Sequence, residues 1–323
     1  MDSLITSISS VLEIVLVIGL GFYLRSKRRL SDDFKNNISF LIMNVALPLS
    51  IFVSVLTHLT REKLANLSTG LVYVLVSFVA GYLVAWLIIK IFNIRPGRRG
   101  TFINMAVNAN TIFIGLPLSI SLFGEESISY FLIYYVANTI STWAIGVFFI
   151  SADDPTKNTN SVQKHNTFNW RKLLPAPLVG LIIALIWLSL GLPLPSLINN
   201  TFTMVGNLVT PLALIYIGII LSDAGLKSIR LDRDTILGLL ARFIISPAIM
   251  IGAIVLFKAS GSNIPNLESS TLIVQSAVPG LAVLPLLVGE SHGDVKYATN
   301  LVTTSTILFI IVIPILMEIL RFI

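Results

Sequence analysis

The sequence predicts an all-α polytopic membrane protein of ten transmembrane helices. These form two inverted five-helix repeats, with broken, crossing helices in the fourth and ninth positions. Three observations point there. Of 323 residues, 55% are hydrophobic and only 12% charged, about half the charge of an ordinary soluble domain. The apolar residues fall into separate runs of roughly 20, the length that crosses about 30 Å of hydrocarbon as a helix. Two of those runs combine amides, glycines and prolines at mid-depth, where a lipid-facing helix has no use for them.

The first span is Leu4 to Leu24, closed by the basic cluster Arg25 to Arg29. That cluster follows the apolar run instead of preceding it, and no small-residue cleavage site is evident, so the start does not read as a cleaved signal. The second span is Ile38 to Thr57, with Asn44 and Pro48; the third is about Thr69 to Ile94. The fourth, about Thr101 to Phe123, is the first broken one, and the fifth runs from about Ile128 to Ile150. Polar residues 151–171 read as a cytoplasmic linker, separating a first repeat at 1–150 from a second at 172–323. The sixth span is about Pro175 to Leu192, the seventh Phe202 to Leu221, and the eighth Thr235 to Phe257. The ninth, about Ser269 to Val288, is again broken, and the tenth is about Ala298 to Leu320.

The basic residues test this arrangement independently. Seventeen of the 22 Lys and Arg fall in loops on one side, and four (Arg61, Lys63, Lys258 and Arg321) on the other. Cytoplasmic loops retain positive charge, which places both termini outside the cytoplasm of a plasma-membrane protein. The same distribution explains the net charge of +6 without a nucleic-acid partner. Five spans on each side of the linker is an odd number, so a repeat must be inverted. Pro48 in A-L-P-L-S matches Pro211 in V-T-P-L-A, and G-L-P-L at Pro117 matches V-L-P-L at Pro285, at nearly equal offsets. Inverted repeats with broken helices in matching positions are a signature of secondary transporters.

The fourth span holds Asn108, Asn110, Thr111, Gly115 and Pro117; the ninth holds Gln275, Ser276, Pro279, Gly280 and Pro285. Pro117 cannot donate to the carbonyl of Phe113, so the helix is expected to break there, and Pro279 and Pro285 are expected to do the same. Each break would free a half-helix N-terminus carrying about half a positive charge. Two such ends would bind an anion without lysine or arginine, and the Asn110 and Gln275 amides could fix a carboxylate. A single transmembrane proline can also serve packing alone. Glu13 lies near the middle of the first span. It reads as a proton carrier or ion ligand, unless that span lines a wet crevice or Glu13 pairs with Arg242. Arg242, in the eighth span, could snorkel towards the cytoplasm or meet the substrate.

At these residues the chain resembles the auxin efflux carrier family, which includes plant auxin exporters and bacterial malate and malonate carriers. The fourth-span N-A-N-T-I-F-I-G-L-P-L, Asn108 to Leu118, resembles that family's N-T-x-x-x-G-[IL]-P-L. Val274 to Pro279 is similar to its V-Q-A-A-L-P, and Arg242 to Ala248 to its R-F-x-x-x-P-A. Asn44 to Leu49 resembles its N-x-x-L-P-A-L, with Leu49 where alanine is usual. The resemblance implies a bile-acid symporter-like fold. Spans 1, 2, 6 and 7 would form a scaffold and the others a transport domain, moving as an elevator, frequently in a homodimer. It puts Asn110, Pro117, Gln275 and Pro279 where the family binds carboxylates. The candidate substrate-binding residues are therefore Asn108, Asn110, Thr111, Gly115, Pro117, Gln275, Ser276, Pro279 and Gly280.

The expected function is secondary transport of small carboxylates such as malate, malonate or auxin-like acids. A sodium-coupled symporter of a hydrophobic organic anion is the alternative, with an anion channel or sensor behind it. The spans offer no Ser/His pair, no paired aspartates and no metal set, so neither an enzyme nor a metal or cofactor is expected. The absence of cysteine removes thiol chemistry as well.

Overall fold

Backbone groups in hydrocarbon have no water to bond, so apolar runs of this length satisfy them internally as helix. A computed structural model describes residues 2–58, 61–156, 176–225 and 229–321, and every regular element among them is helical. The helices are α1 (Asp2–Ser26), α2 (Asp32–Leu41), α3 (Leu47–His58), α4 (Arg61–Phe92), α5 (Arg99–Val107), α6 (Leu116–Phe123), α7 (Ile128–Ile140) and α8 (Val147–Ala152). After residues 157–175, which hold most of the expected linker and lie outside the described residues, come α9 (Ala176–Leu190), α10 (Ser196–Gly206) and α11 (Val209–Ala224). The chain ends with α12 (Arg233–Leu240), α13 (Ser246–Ala259), α14 (Asn266–Ala277), α15 (Leu284–Glu290) and α16 (Val295–Leu320).

Seven helical stretches among the described residues are long and apolar enough to cross a membrane. Several join two of the helices named above: Asp32–Thr57, Arg99–Phe123, Glu125–Ala152, Ser196–Asp223 and Arg233–Ala259. The expected sixth span is a shorter apolar helix, Ala176–Leu190. The expected ninth is divided between α14 and α15, because residues 278–283 are not helical.

Pro279 lies within that non-helical stretch, as expected, but Pro117 acts differently from the sequence expectation. Four wide π-type turns interrupt the helices, at Ile42–Ala46, Thr111–Gly115, Ser141–Gly146 and Ala241–Ile245. Three of them end two residues before a proline, namely Pro48, Pro117 and Pro247. A proline ring collides with the carbonyl four residues back, and a wide turn opens space for it while keeping the helix continuous. Pro117 therefore does not break its helix; it sits in the first turn of α6, where its missing N–H costs nothing. The interruption lies upstream, at Asn108–Asn110.

The helices pack in two groups. In one, α1 lies along α11, and α3 lies on α9 and α10. The contact of α1 with α11 is close because both helices offer glycine at the crossing. A Cβ on Gly21 would lie 2.3 Å from the Ile215 carbonyl oxygen, and one on Gly218 would lie 2.1 Å from that of Ile18. In the other group α4 packs on α5, α7 and α13, and α13 on α14. The groups meet where α1 and α11 touch α6, α16 and the Thr111–Gly115 turn. Phe113 stacks on Tyr216 there, with ring centroids 4.6 Å apart.

Each group is tied by its own ionic cluster at one end. Arg25 pairs with Asp32 and, at 2.5 Å, with Asp223, which also holds Lys35 at 2.9 Å. Arg98 reaches Asp232 at 2.6 Å, Asp294 at 2.7 Å and buried Asp234 at 3.3 Å, and lies over the Tyr297 ring. Burial alone would raise the Asp232 carboxyl, but hydrogen bonds from Thr235 and Arg98 outweigh it and hold it at about 2. A carboxyl with a depressed native value adds stability above its unfolded value of about 4, and that contribution disappears as pH falls towards 2. Asp232→Asn should therefore lower the melting temperature at pH 5 and above, and the gap to the parent protein should narrow towards pH 2.5.

Candidate functional site

The two interrupted stretches meet. The Asn110 N–H donates to the Pro279 carbonyl at 2.9 Å, so the backbone of one interruption bonds that of the other. The Gln275 amide reinforces the contact, with Nε2 donating to the Gly115 carbonyl and to Ser119 Oγ, both at 2.8 Å. Gly115 is required by this approach: a Cβ there would lie 2.2 Å from Gln275 Oε1. That oxygen is buried, and no hydrogen-bond partner reaches it among the described residues. Gly280 is similarly hemmed in, 2.4 Å from Met105 Sδ at its would-be Cβ.

Backbone left unpaired inside a protein costs about 1–3 kcal/mol per group, and side chains settle that cost here. Asn138 Oδ1 accepts from the Ala109 N–H at 2.8 Å while its Nδ2 donates to the Ala109 carbonyl at 3.0 Å. Asn110 caps the turn that follows, accepting from the Phe113 N–H. Asn108 faces away from the interruption into a polar chain. It donates to Asn104 Oδ1 and accepts from Ser141 Oγ, while Asn104 donates to the Gly100 and Gly146 carbonyls. Asn108 thus holds α5 against the Ser141–Gly146 turn. Thr111, Ser276 and Pro117 are all buried at the crossing. The Ser276 hydroxyl donates to the Ile273 carbonyl of its own helix.

Arg242 is fully buried, so it does not snorkel. The wide turn at Ala241–Ile245 carries it inwards, where Nη2 donates to the Ser276 carbonyl at 2.6 Å and to that of Gln275 at 3.4 Å. Its Nη1 donates to the Ala106 carbonyl at 3.4 Å. These acceptors are the carbonyl ends of α14 and α5, the two half-helices that run into the interruptions. The Tyr134 hydroxyl lies against the same guanidinium. Glu13, by contrast, lies on an exposed face of α1, and Arg242 has carbonyls around it where the sequence suggested a carboxylate.

The arrangement biases the local field. At a break in a helix, the carbonyl end of one half and the N–H end of the next carry opposite partial charges of about half a unit, and these largely cancel. Arg242 neutralises the carbonyl ends, so the N–H end that begins at Thr111 is left in excess. An anion is favoured at such an end. A cavity of about 10 Å3 beside the crossing, bordered by Ser77, Gly81, Tyr134, Ser246 and Ser276, has room for about one water molecule.

Sequence reasoning missed Asn104, Ser119 and Asn138. Asn104 and Asn108 stand four apart, on one face of a helix, which was the available signal. Asn138 gave none, because its partner lies 29 residues away.

Comparison with known proteins agrees with this architecture. A family model described as membrane transport protein matches residues 6–317. An uncharacterized transporter of Methanocaldococcus jannaschii is 23% identical over 311 residues, covering 94% of this chain and 95% of that one. One from Methanothermobacter thermautotrophicus is 23% identical over 313 residues, covering 95% and 96%.

Proposed function

The chain belongs to the membrane transport protein family that contains the auxin efflux carriers, and from that membership we propose that it is a secondary carrier of small organic anions. In this reading ten spans form two inverted repeats, residues 1–150 and 172–323, joined by the linker at 151–171. The α1, α2, α3, α9, α10 and α11 group is the scaffold, and the rest moves against it as an elevator. Substrate is a carboxylate such as malate, malonate or an auxin-like acid, held at Asn110, Thr111, Gly115, Gln275 and Pro279. Both termini lie outside the cytoplasm, and a homodimer is compatible with the apolar outer faces of α9 and α10.

The observation that supports this most is the balance of charge at the crossing. A guanidinium covers the carbonyl ends of α5 and α14, and the N–H end capped by Asn110 stays uncompensated. Thermal unfolding of the detergent-solubilised protein with malate, malonate and indole acetate is the direct test. A ligand at 100 times its dissociation constant should stabilise by about 2.7 kcal/mol. Asn110→Ala removes the amide assigned to hydrogen-bond the carboxylate, worth about 1–1.5 kcal/mol, and should weaken binding roughly fivefold to tenfold. Unchanged binding in that variant, or no saturable uptake of any of the three acids into proteoliposomes, would sink the proposal. Sodium dependence of the shift would favour the symporter alternative.

A further inference from the structure

A second buried polar site stands at the far end of α14. Glu268, one residue before the expected start of the ninth span, is only 6% exposed. Its carboxylate oxygen Oε1 accepts a hydrogen bond from the Tyr73 hydroxyl of α4. Tyr73 is itself 1% exposed and packs on Phe257 of α13. The space for the carboxyl exists because residue 70 is glycine. A Cβ there would lie 2.6 Å from Glu268 Oε1 and 2.8 Å from Ile133 of α7. The pocket is thus built from three helices around one acid.

Among the described residues, no charged group on the surrounding elements forms an ion pair with it. The turn between α6 and α7 brings Glu125 and Glu126, which are exposed and of the same sign, and α7 brings Tyr130. Lys258 ends α13, and no ion pair joins it to Glu268 among the described residues. Arg61, Glu62 and Lys63 begin α4, with side chains outside the described residues. A carboxyl buried beside a hydroxyl and without a counter-ion favours its neutral form. Burial pushes Glu268 up to about 7.

We propose that Glu268, with Tyr73 as its hydrogen-bond donor, is the proton-binding site of this protein. In the packed arrangement the enclosed carboxyl holds its proton to higher pH than a solvated glutamate does. When α14 parts from α4 and α7, the O–H bond breaks, the proton passes to water at that end of the bundle, and the carboxylate keeps the electron pair. Glu268 and Gln275 are seven residues apart on one helix, so they share a face and are separated by roughly 10 Å. Loss of the proton at one end of α14 therefore pulls on the residue that ties the interruptions together. Glu13 has no comparable enclosure. Only the identity of what moves with the proton rests on the carrier reading.

Infrared titration of the reconstituted protein, following the C=O band of protonated carboxyl groups, reads the site without any substrate. A band titrating close to neutral pH is expected, absent from Glu268→Gln and moved to higher pH in Tyr73→Phe, which loses a donor that favours the charged form. A neutral-range band that survives in Glu268→Gln, or parent carboxyls that all titrate near 4–5, the ordinary range, would overturn the proposal. Melting temperature gives a second reading should one variant fold poorly. A carboxyl with a raised native value loses stability as pH climbs from about 4.5 to 7, so Glu268→Gln should be the more stable protein at pH 8 and equal at pH 4; a pH-independent difference would count against it. In proteoliposomes holding a pH dye, malate or indole acetate uptake should carry protons in the parent protein and not in Glu268→Gln. Equal proton movement in both would remove the coupling role. Absence of all uptake would instead reject the carboxylate reading and leave the infrared result standing.

Discussion

Arg242→Met should weaken anion binding about 30-fold while costing little stability. The guanidinium is a unit charge on the carbonyl ends of α5 and α14. At an effective dielectric constant of about 20 and roughly 8 Å from the bound anion, it contributes about 2 kcal/mol, which is about 30-fold in affinity. Stability moves less because two effects oppose each other. Methionine donates no hydrogen bond, so the Ala106 and Gln275 carbonyls lose the guanidinium and Gln275 keeps the Val278 N–H at 3.2 Å, but the change also removes a cation whose burial is expensive. The Ser276 carbonyl keeps a donor in Ser246 at 3.0 Å. Arg242→Lys separates charge from geometry: it keeps the charge and loses the fork, so affinity should fall only a few-fold. Equilibrium binding of the acid identified by thermal shift checks both variants. Unaltered affinity in Arg242→Met would mean that the dipole balance does not govern binding.

Asn138→Leu should be the most destabilising change near the crossing, by about 3 kcal/mol. It strips the buried Ala109 N–H of its partner and removes one of two donors from the Ala109 carbonyl, which keeps the Thr111 N–H at 2.9 Å; an abandoned buried group costs about 1–3 kcal/mol. At about 1.5 °C per kcal/mol for an unfolding entropy that scales with chain length, here 323 residues, the melting temperature should drop by around 4 °C. Hydrogen exchange gives the local readout, since the Ala109 amide should lose its protection while amides of α1 and α11 keep theirs. A drop of only 1 or 2 °C with protection intact would show that the interruption is held by other contacts.

Much of this molecule was legible in the sequence because a bilayer imposes length. A run such as Gly70–Phe92 has few ways to fold other than as helix. Asn108, Asn110 and Gly115 were conspicuous for the same reason, as amides and a glycine in hydrocarbon. What the sequence concealed is where strain is released. Pro117 looked like the breaking point, yet a wide turn absorbs it, and the Asn110 amide expected to meet substrate also caps the backbone. Asn138 and Arg242 were illegible as partners because both bond main-chain groups, of residues 29 to 136 positions away, and main-chain groups carry no sequence signal. Glu268 fell one residue outside an apolar run and therefore read as loop, although a glycine on α4 makes a buried place for it.

The distribution of ionic clusters has a mechanical meaning. Arg25, Lys35, Asp32 and Asp223 bind α1, α2 and α11 to one another; Arg98 binds Asp232, Asp234 and Asp294 within the other group. Between the groups runs a greasy seam, where Val15, Ile18, Leu214 and Ile217 face Ile114 and Phe309 around a cavity of about 30 Å3. Surfaces that meet through dispersion alone trade one set of weak contacts for a similar set when they slip, whereas an ion pair must first be torn open. On the elevator reading proposed above, the seam would serve as a bearing: each side is stiffened by its own charges, and friction between them would be set by the shape of side chains.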